Sequence, residues 1–147
     1  MRIYLDLCCL NRPFDDQTQP VIGLETEAVI QVLRWVREGS LSLVIGEALE
    51  LENRRNPDRR RRNAVLRLLR DAETYVPVGP AEGQRARELC AAGLRSFDAL
   101  HVACAESGQA KVLLTTDHGL LRFARRNAAR LRLKVMNPLQ WIQEAVP

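Results

Sequence analysis

The chain has 147 residues, of which 46% are hydrophobic, and it carries a formal net charge of +4 at pH 7. This length favours one domain spanning residues 1–147, and the charge is weak support for a nucleic-acid partner because the arginine content is high throughout. No apolar run approaches the roughly 20 residues of a membrane-spanning helix, and Asp6 comes too early for a secretory leader, so we expect a cytoplasmic protein with no membrane partner.

Strands and helices alternate along the predicted chain. Short apolar runs rich in β-branched residues predict five strands, at Ile3–Leu7, Leu41–Ile45, Tyr75–Val78, Val112–Thr116 and Leu133–Met136. Helical spacing, with Ser96 and Asn137 as N-caps, predicts helices at Leu24–Glu38, Glu47–Arg55, Arg59–Glu73, Ala81–Ala92, Ser96–Glu106, Gly119–Ala129 and Leu139–Glu144. This order predicts a three-layer α/β/α sandwich with a parallel sheet of about five strands, and the proline in the third strand places that strand at an edge.

Two acids follow strands of this predicted sheet. Asp6 stands at the carboxyl end of the first strand and Asp117 at the carboxyl end of the fourth. Open α/β sheets bind ligands outside these ends, where the strand order reverses, so the two acids converge there if their strands are neighbours. Two unpaired carboxylates held close repel each other unless a cation neutralises them, and oxygen ligands suit a hard divalent ion. The sequence therefore predicts a metal site at this edge.

Further acids come from two helices. Asp98 lies in the first turn of a helix made largely of Ala, Leu, Val and Cys. A favourable interaction with the helix dipole explains it most simply, but an apolar helix packs deeply, and a poorly solvated carboxylate needs a partner. The helix after the second strand offers Glu47, Glu50 and Glu52. The first two share a face and the third lies well round from them, so most of this set is solvated surface.

Three segments in this order, Ile3–Asp6, Phe97–Ala105 and Leu113–Asp117, resemble the PIN domain nucleases, a family that includes the toxins of VapBC-type toxin–antitoxin pairs. The resemblance covers nearly the whole chain. In PIN domains a second acid follows the small residue that closes the second strand by six residues, and counting from Gly46 gives Glu52. The resemblance implies RNA hydrolysis with Mg²⁺ or Mn²⁺, metal ligation by Asp6, Asp98 and Asp117, and a catalytic set of Asp6, Glu52, Asp98 and Asp117.

The sequence departs from the family pattern at three positions. Cys8 stands where the family often has Thr or Ser, Gly46 replaces the commoner Ser, and His118 follows the fourth acid. These departures leave open a catalytically weak PIN-like module that binds RNA or protein. Cys8 also argues against a phosphatase-like fold, which usually carries a second Asp at that position. The resemblance further implies a homodimer and a small antitoxin partner.

Residues outside the acidic set are candidates for holding carboxylates or substrate. Asn11 and Thr116 have the required polar side chains, and His118 is a candidate acid–base group or, at least as often, a loop residue capping the next helix. Arg54 and Arg55 begin the densest basic run of the chain. This run is either a phosphate track beside the acidic pocket or a solvated loop and helix start. A buried structural histidine is expected at His101; the alternative is a hydrogen bond to Asp98, which lies one turn before it in the same helix.

Overall fold

The computed structural model describes residues 1–145. Within them the strands are β1 (Arg2–Leu5), β2 (Ser42–Gly46), β3 (Thr74–Val76), β4 (Val112–Leu114) and β5 (Lys134–Met136). The helices are α1 (Leu7–Asn11), α2 (Pro20–Arg37), α3 (Glu47–Arg54), α4 (Arg59–Leu68), α5 (Pro80–Ala91), α6 (Ser96–Ser107), α7 (His118–Arg126) and α8 (Pro138–Ala145). Three 3₁₀ turns cover 12–14, 69–71 and 128–130. None of the helices in this part of the chain has the length and apolar character needed to span a membrane.

The five strands form one parallel sheet in the order β3-β2-β1-β4-β5. Strand β1 pairs with β2 through Ile3 opposite Leu43, and with β4 through Tyr4 opposite Leu113. The chain builds outward from β1 on one side and then returns to its other side, so the strand order reverses between β1 and β4. This confirms the predicted sandwich and the adjacency of the first and fourth strands, and it places β3 at the predicted edge.

Helix α6 packs closely against the sheet, and this packing determines how deeply the acids at the carboxyl edge lie. Three consecutive residues of β1, Ile3, Tyr4 and Leu5, have no exposed surface. A Cβ atom added at Gly46, the last residue of β2, would lie 2.6 Å from Cys104 Cβ on α6. The glycine therefore lets the helix approach the strand more closely than serine would allow, which explains this departure from the family pattern.

The boundaries differ from the predicted ones where a polar side chain ends an element. Strand β1 stops at Leu5 because the Asp6 carboxylate accepts a hydrogen bond of 2.8 Å from Leu7 N and caps α1. This five-residue helix is too short to show helical periodicity. The N-cap of α6 is Arg95 rather than Ser96, which is already helical. The predicted cap at Asn137 is confirmed by a 2.8 Å bond from Leu139 N to its side chain.

Candidate active site

The four sequence-predicted acids lie together at the carboxyl edge of the sheet. Each comes from a different element: Asp6 follows β1, Glu52 lies on α3, Asp98 is in the first turn of α6, and Asp117 caps α7 after β4. Three of them line one cavity of about 280 Å³, together with Arg95, Ser96 and Phe97. The fourth, Asp6, is buried and is not among the residues that line this cavity. The strand-order reversal between β1 and β4 thus gathers carboxylates from residues more than a hundred positions apart.

Asp6 is held rigidly by hydrogen bonds. Its carboxylate is 4% exposed and accepts bonds of 2.8 Å from Leu7 N and from the Thr115 hydroxyl. The same hydroxyl accepts a bond of 3.1 Å from Asp117 N. Thr115 therefore ties together the ends of β1 and β4. Sequence reasoning proposed Thr116 for this type of contact, whereas the hydroxyl that reaches Asp6 belongs to the residue before it.

Cys8 occupies the position where the family often has a hydroxyl. Its thiol lies 3.4 Å from Asp6 Oδ2 and 3.3 Å from the Thr115 hydroxyl oxygen. The sulfur also accepts a bond of 3.3 Å from Thr116 N. The thiol thus keeps the contact with the carboxylate that a hydroxyl would make, at the longer distance and lower strength typical of sulfur.

Asp98 has the perturbed environment that its apolar helix predicted. Burial, and then the charges of Asp6 and Asp117, raise the pKa of this carboxyl to about 6, against the smaller opposing effects of His101 and Arg95. A carboxyl group in this position resists ionisation because each further negative charge is poorly solvated and repelled by its neighbours. The site therefore has a deficit of positive charge.

Arg95 reduces this deficit only in part. Its guanidinium lies 3.8 Å from Asp98 Oδ2 and 3.4 Å from both carboxylate oxygens of Asp117, and its side chain is 74% exposed. These are long contacts made from the solvent side, and they bridge two acids rather than neutralising each one separately. Sequence reasoning missed Arg95; its spacing of three residues before Asp98 is the signal that indicates such a contact.

His101 is a buried member of the same cluster. Its Nδ1 lies 2.8 Å from the Tyr4 hydroxyl, and its Nε2 lies 3.1 Å from Glu52 Oε1 and 3.5 Å from Asp6 Oδ1. Burial lowers the pKa of His101, but Asp6, Glu52 and Asp98 raise it by more, so the net direction is upward. The expected packed histidine is confirmed, although it bonds to Glu52 rather than to Asp98.

Glu52 separates from the other acids of α3 as the helical faces predicted. Glu47 accepts a bond of 2.9 Å from Val78 N, and Glu50 accepts one of 3.2 Å from the Tyr75 hydroxyl. Both therefore face the edge of the sheet near β3. Glu52 points instead toward His101, so it is the acid of this helix that joins the cluster.

The cluster offers a donor set for a cation. Asp6, Glu52 and His101 each present one ligand atom, and these atoms lie within 4.8 Å of one another. Asp98 and Asp117 add further carboxylate oxygens around the adjoining cavity. A set dominated by carboxylate oxygen favours Mg²⁺ or Mn²⁺ over the softer metals that prefer thiolate or several imidazoles.

The basic run that begins at Arg54, for which the sequence left open a phosphate track or a solvated loop and helix start, divides between different environments. Arg61 and Arg62 bond to neighbouring loops and stabilise the fold. Arg55 lies over the Phe97 ring, 5.3 Å from its centroid, and that ring lines the acidic cavity. Arg54 lines a different cavity. Of these four arginines, Arg55 is the one next to the acids.

The remaining predicted positions lie at the periphery. His118 is exposed at the first turn of α7, and Asn11 ends α1. The Asn11 side-chain oxygen is buried and has no hydrogen-bond partner within residues 1–145. No side-chain hydrogen bond in this part of the chain joins either residue to the four acids.

Comparisons with known proteins agree with this geometry. Residues 22–126 match the PIN domain family, and no protein with a curated description matches the chain significantly. Similar solved structures include VapBC2 from Rickettsia felis bound to a DNA fragment from their promoter, with a TM-score of 0.58 and 16% identity over 92% of this chain and 98% of that chain. PAE2754 from Pyrobaculum aerophilum gives a TM-score of 0.52 and 17% identity over 100% of this chain and 91% of that chain. At these identities the structural likeness shows the fold alone.

Proposed function

We propose, from the premise that the chain belongs to the PIN domain family, that it is an endoribonuclease that hydrolyses RNA phosphodiester bonds with bound Mg²⁺ or Mn²⁺, as one domain of residues 1–147. The observation that carries this proposal is the convergence of Asp6, Asp98 and Asp117 beside the reversal of strand order, close enough that the charges of Asp6 and Asp117 act on the Asp98 carboxyl. Such a pocket repels an RNA phosphate unless a cation is bound in it.

Asp6, Asp98 and Asp117 are the proposed metal ligands, and Glu52 completes the catalytic set. The donor chemistry fits a hard divalent cation, because the basic groups that contact the four carboxylates in the described chain are the buried His101 and the exposed Arg95, whose own contacts are long. The pKa of Asp98 is raised to about 6, first by burial and then by the charges of Asp6 and Asp117; this supports the same assignment, since a bound cation would offset the cost of holding a negative charge there. Titration with Mg²⁺ and with Mn²⁺ would measure which of the two ions binds more tightly.

The bound ion would make a water molecule more acidic and neutralise charge that develops on the scissile phosphate. The protein's own groups hold this arrangement in place. Leu7 N and the Thr115 hydroxyl fix Asp6, while His101 fixes Glu52. A bound cation would compete with Arg95 for Asp98 and Asp117, and the exposed guanidinium would then be available to contact an RNA phosphate.

We also propose that the chain is the toxin of a toxin–antitoxin pair and that it forms a homodimer. The similar fold of the VapBC2 structure from Rickettsia felis supports the toxin–antitoxin part of this proposal. An antitoxin would inhibit the enzyme by covering the acidic cavity, most simply with a basic side chain that pairs with Asp98 and Asp117. Co-expression with the product of the neighbouring reading frame, followed by co-purification, tests this part separately.

Cleavage of labelled single-stranded RNA in Mn²⁺ tests the enzymatic proposal. We expect the wild-type protein to cut, and Asp6→Asn and Asp98→Asn to lose about a hundredfold or more of the rate, as removal of a charge-stabilising group does. Glu50→Gln is the matched control, because Glu50 bonds to Tyr75 away from the cluster. If the wild-type protein binds RNA but leaves it intact in Mn²⁺, the chain is a binding module and the nuclease proposal is wrong.

A further inference from the structure

Positive charge is concentrated in the last quarter of the chain. Residues 118–143 contain six lysines or arginines and no aspartate or glutamate, namely Arg122, Arg125, Arg126, Arg130, Arg132 and Lys134. The rest of the chain contains sixteen basic residues and eighteen acidic ones. The net positive charge of the protein therefore comes entirely from this segment, which begins immediately after the last acid of the candidate active site.

Several of these side chains line a groove at the amino edge of the sheet, opposite the edge that carries the acids. A cavity of about 510 Å³ lies between the end of α7 and β5. Four exposed basic residues surround it, and we call it the amino-edge groove: Lys111, Arg125, Arg132 and Lys134. These include both lysines of the chain. No acidic residue of the described chain lines the groove.

The basic surface continues beyond the groove. A neighbouring cavity of about 810 Å³ shares Lys111 and Arg132 with it and adds Arg2. This second cavity has one acidic lining residue in the described chain, Glu106, whose side chain is 2% exposed. Glu106 is already bonded to Arg85 at 2.8 Å and to Arg132 N at 3.1 Å. The continuous surface therefore has no free carboxylate to balance its charge.

Stabilisation of the fold does not account for this clustering. Arg125 is in the last turn of α7, where a cation gains about 0.3–1 kcal/mol from the helix dipole, and Lys134 protects the open edge of β5. Lys111 and Arg132 belong to no helix. None of the four side chains forms an ion pair within residues 1–145, so each adds to the repulsion among the others.

We propose that the amino-edge groove binds the phosphodiester backbone of the RNA, as a second contact outside the acidic cavity; this inference rests on the proposed nuclease function. The Cα atoms of Lys111 and Asp117 are six residues apart, so at most about 20 Å separates them. β5 is the outer strand beside β4. One RNA strand passing around this edge contacts both the groove and the acids. The groove has no aromatic lining residue in the described chain, so it reads phosphates rather than bases.

Fluorescence anisotropy with labelled single-stranded RNA of about 20 nucleotides, at several salt concentrations, tests this inference. The measurement uses the Asp6→Asn background so that RNA is not cut. Lys111→Glu/Lys134→Glu is compared with Arg34→Glu/Arg70→Glu, which changes the charge equally at exposed residues that do not line the groove. We expect the groove variant to weaken binding by about tenfold or more and to reduce the salt slope by about 1.4, the value for two phosphate contacts.

Two outcomes overturn the inference: unchanged RNA binding in the groove variant, which would favour an acidic protein as the occupant of the groove, or an equal loss in the control variant. With the active protein, kcat/KM is expected to fall more for the long RNA than for a trinucleotide, which is too short to reach both sites. If the nuclease proposal fails, the wild-type protein cuts neither RNA, while the anisotropy comparison still decides whether the groove binds RNA. Thermal melting of both variants checks that they are folded.

Discussion

The hydroxyl of Tyr4 on β1 and Nδ1 of His101 on α6 are joined by a 2.8 Å hydrogen bond, and both side chains have no exposed surface. Burial, followed by the charges of nearby groups, raises the pKa of Tyr4 well above its usual value, so it stays protonated. A tyrosine hydroxyl can donate to neutral histidine or accept from the charged form. In either form, His101 Nε2 can donate to Glu52. The Tyr4–His101 pair therefore links strand β1 to Glu52, a proposed catalytic acid.

Tyr4→Phe tests this link, because it removes the hydroxyl and leaves His101 Nδ1 buried without its partner. We expect the free energy of unfolding to fall by about 1–3 kcal/mol, as for other unsatisfied buried groups, and Mn²⁺ to bind more weakly because Glu52 loses its fixed position. Urea unfolding and calorimetric titration with Mn²⁺ measure the two effects. Tyr75→Phe is the matched control, since this exposed hydroxyl bonds only to Glu50 in the described chain. Equal losses in the two variants would contradict the proposed role.

Asp98→Asn is expected to stabilise the metal-free protein in a pH-dependent way. The pKa of Asp98 is about 6 in the folded protein, against 3.8 ordinarily. The folded state therefore binds this proton more tightly than the unfolded state, and its stability falls as pH rises from about 4 to about 6. The rise in pKa corresponds to about 3 kcal/mol. The substitution removes this cost, so the gain should reach about 3 kcal/mol at pH 7.5 in EDTA and be small at pH 4.

Urea unfolding at the two pH values measures this difference. Asp71→Asn is a suitable control because this acid pairs with an exposed arginine, Arg37, outside the cluster. A gain of the same size at pH 4 and pH 7.5 would show that packing, rather than repulsion among carboxylates, limits the stability at this position.

The sequence predicts those site residues that lie on elements whose ends or faces can be recognised from local patterns. Asp6 and Asp117 stand where apolar strand segments stop, and Glu52 lies on a different helical face from Glu47 and Glu50. The missed contacts need two distant segments to meet. The Thr115 hydroxyl reaches Asp6 only because β1 and β4 are neighbours, and no local pattern in either segment indicates that bond.

The same reason explains the other differences. The partnership of His101 with Glu52 joins α6 to α3 across 49 positions, so the spacing to Asp98 within one helix suggested the wrong partner. Helix α1 is shorter than two turns, and its N-cap is also the main acid of the site. The Asp6 carboxylate therefore both caps the backbone of α1 and belongs to the acidic cluster. A sequence pattern that places Asp6 at a strand end describes only the second of these roles.

Gly46→Ala is expected to destabilise the protein, although alanine is usually the less flexible and more stable choice. The new Cβ would lie 2.6 Å from Cys104 Cβ and 3.2 Å from the Tyr4 hydroxyl, so α6 must move outward. Overpacking of this kind costs about 1–3 kcal/mol. The control is Gly23→Ala on α2, where the nearest atom would be 3.8 Å away and the change should stabilise by about 0.4–1 kcal/mol. Thermal melting that shows the same sign for both variants would contradict the close packing of β2 and α6.

Binding of Mn²⁺ should stabilise the folded protein at pH 7.5 through the same cluster. A ligand present at about 100 times its Kd adds about 2.7 kcal/mol to the free energy of unfolding, provided that it does not bind the unfolded chain. We expect this increase in the wild-type protein, and a much smaller one in Asp6→Asn and Asp117→Asn, which each remove one proposed ligand. EDTA should reverse the effect in full. The exposed Glu88→Gln variant, which alters an acid on α5 that pairs with Arg85 and lines a different cavity, should respond to Mn²⁺ as the wild type does. If Mn²⁺ raises the melting temperature of all four proteins equally, it binds elsewhere, and the assignment of Asp6 and Asp117 as ligands is wrong.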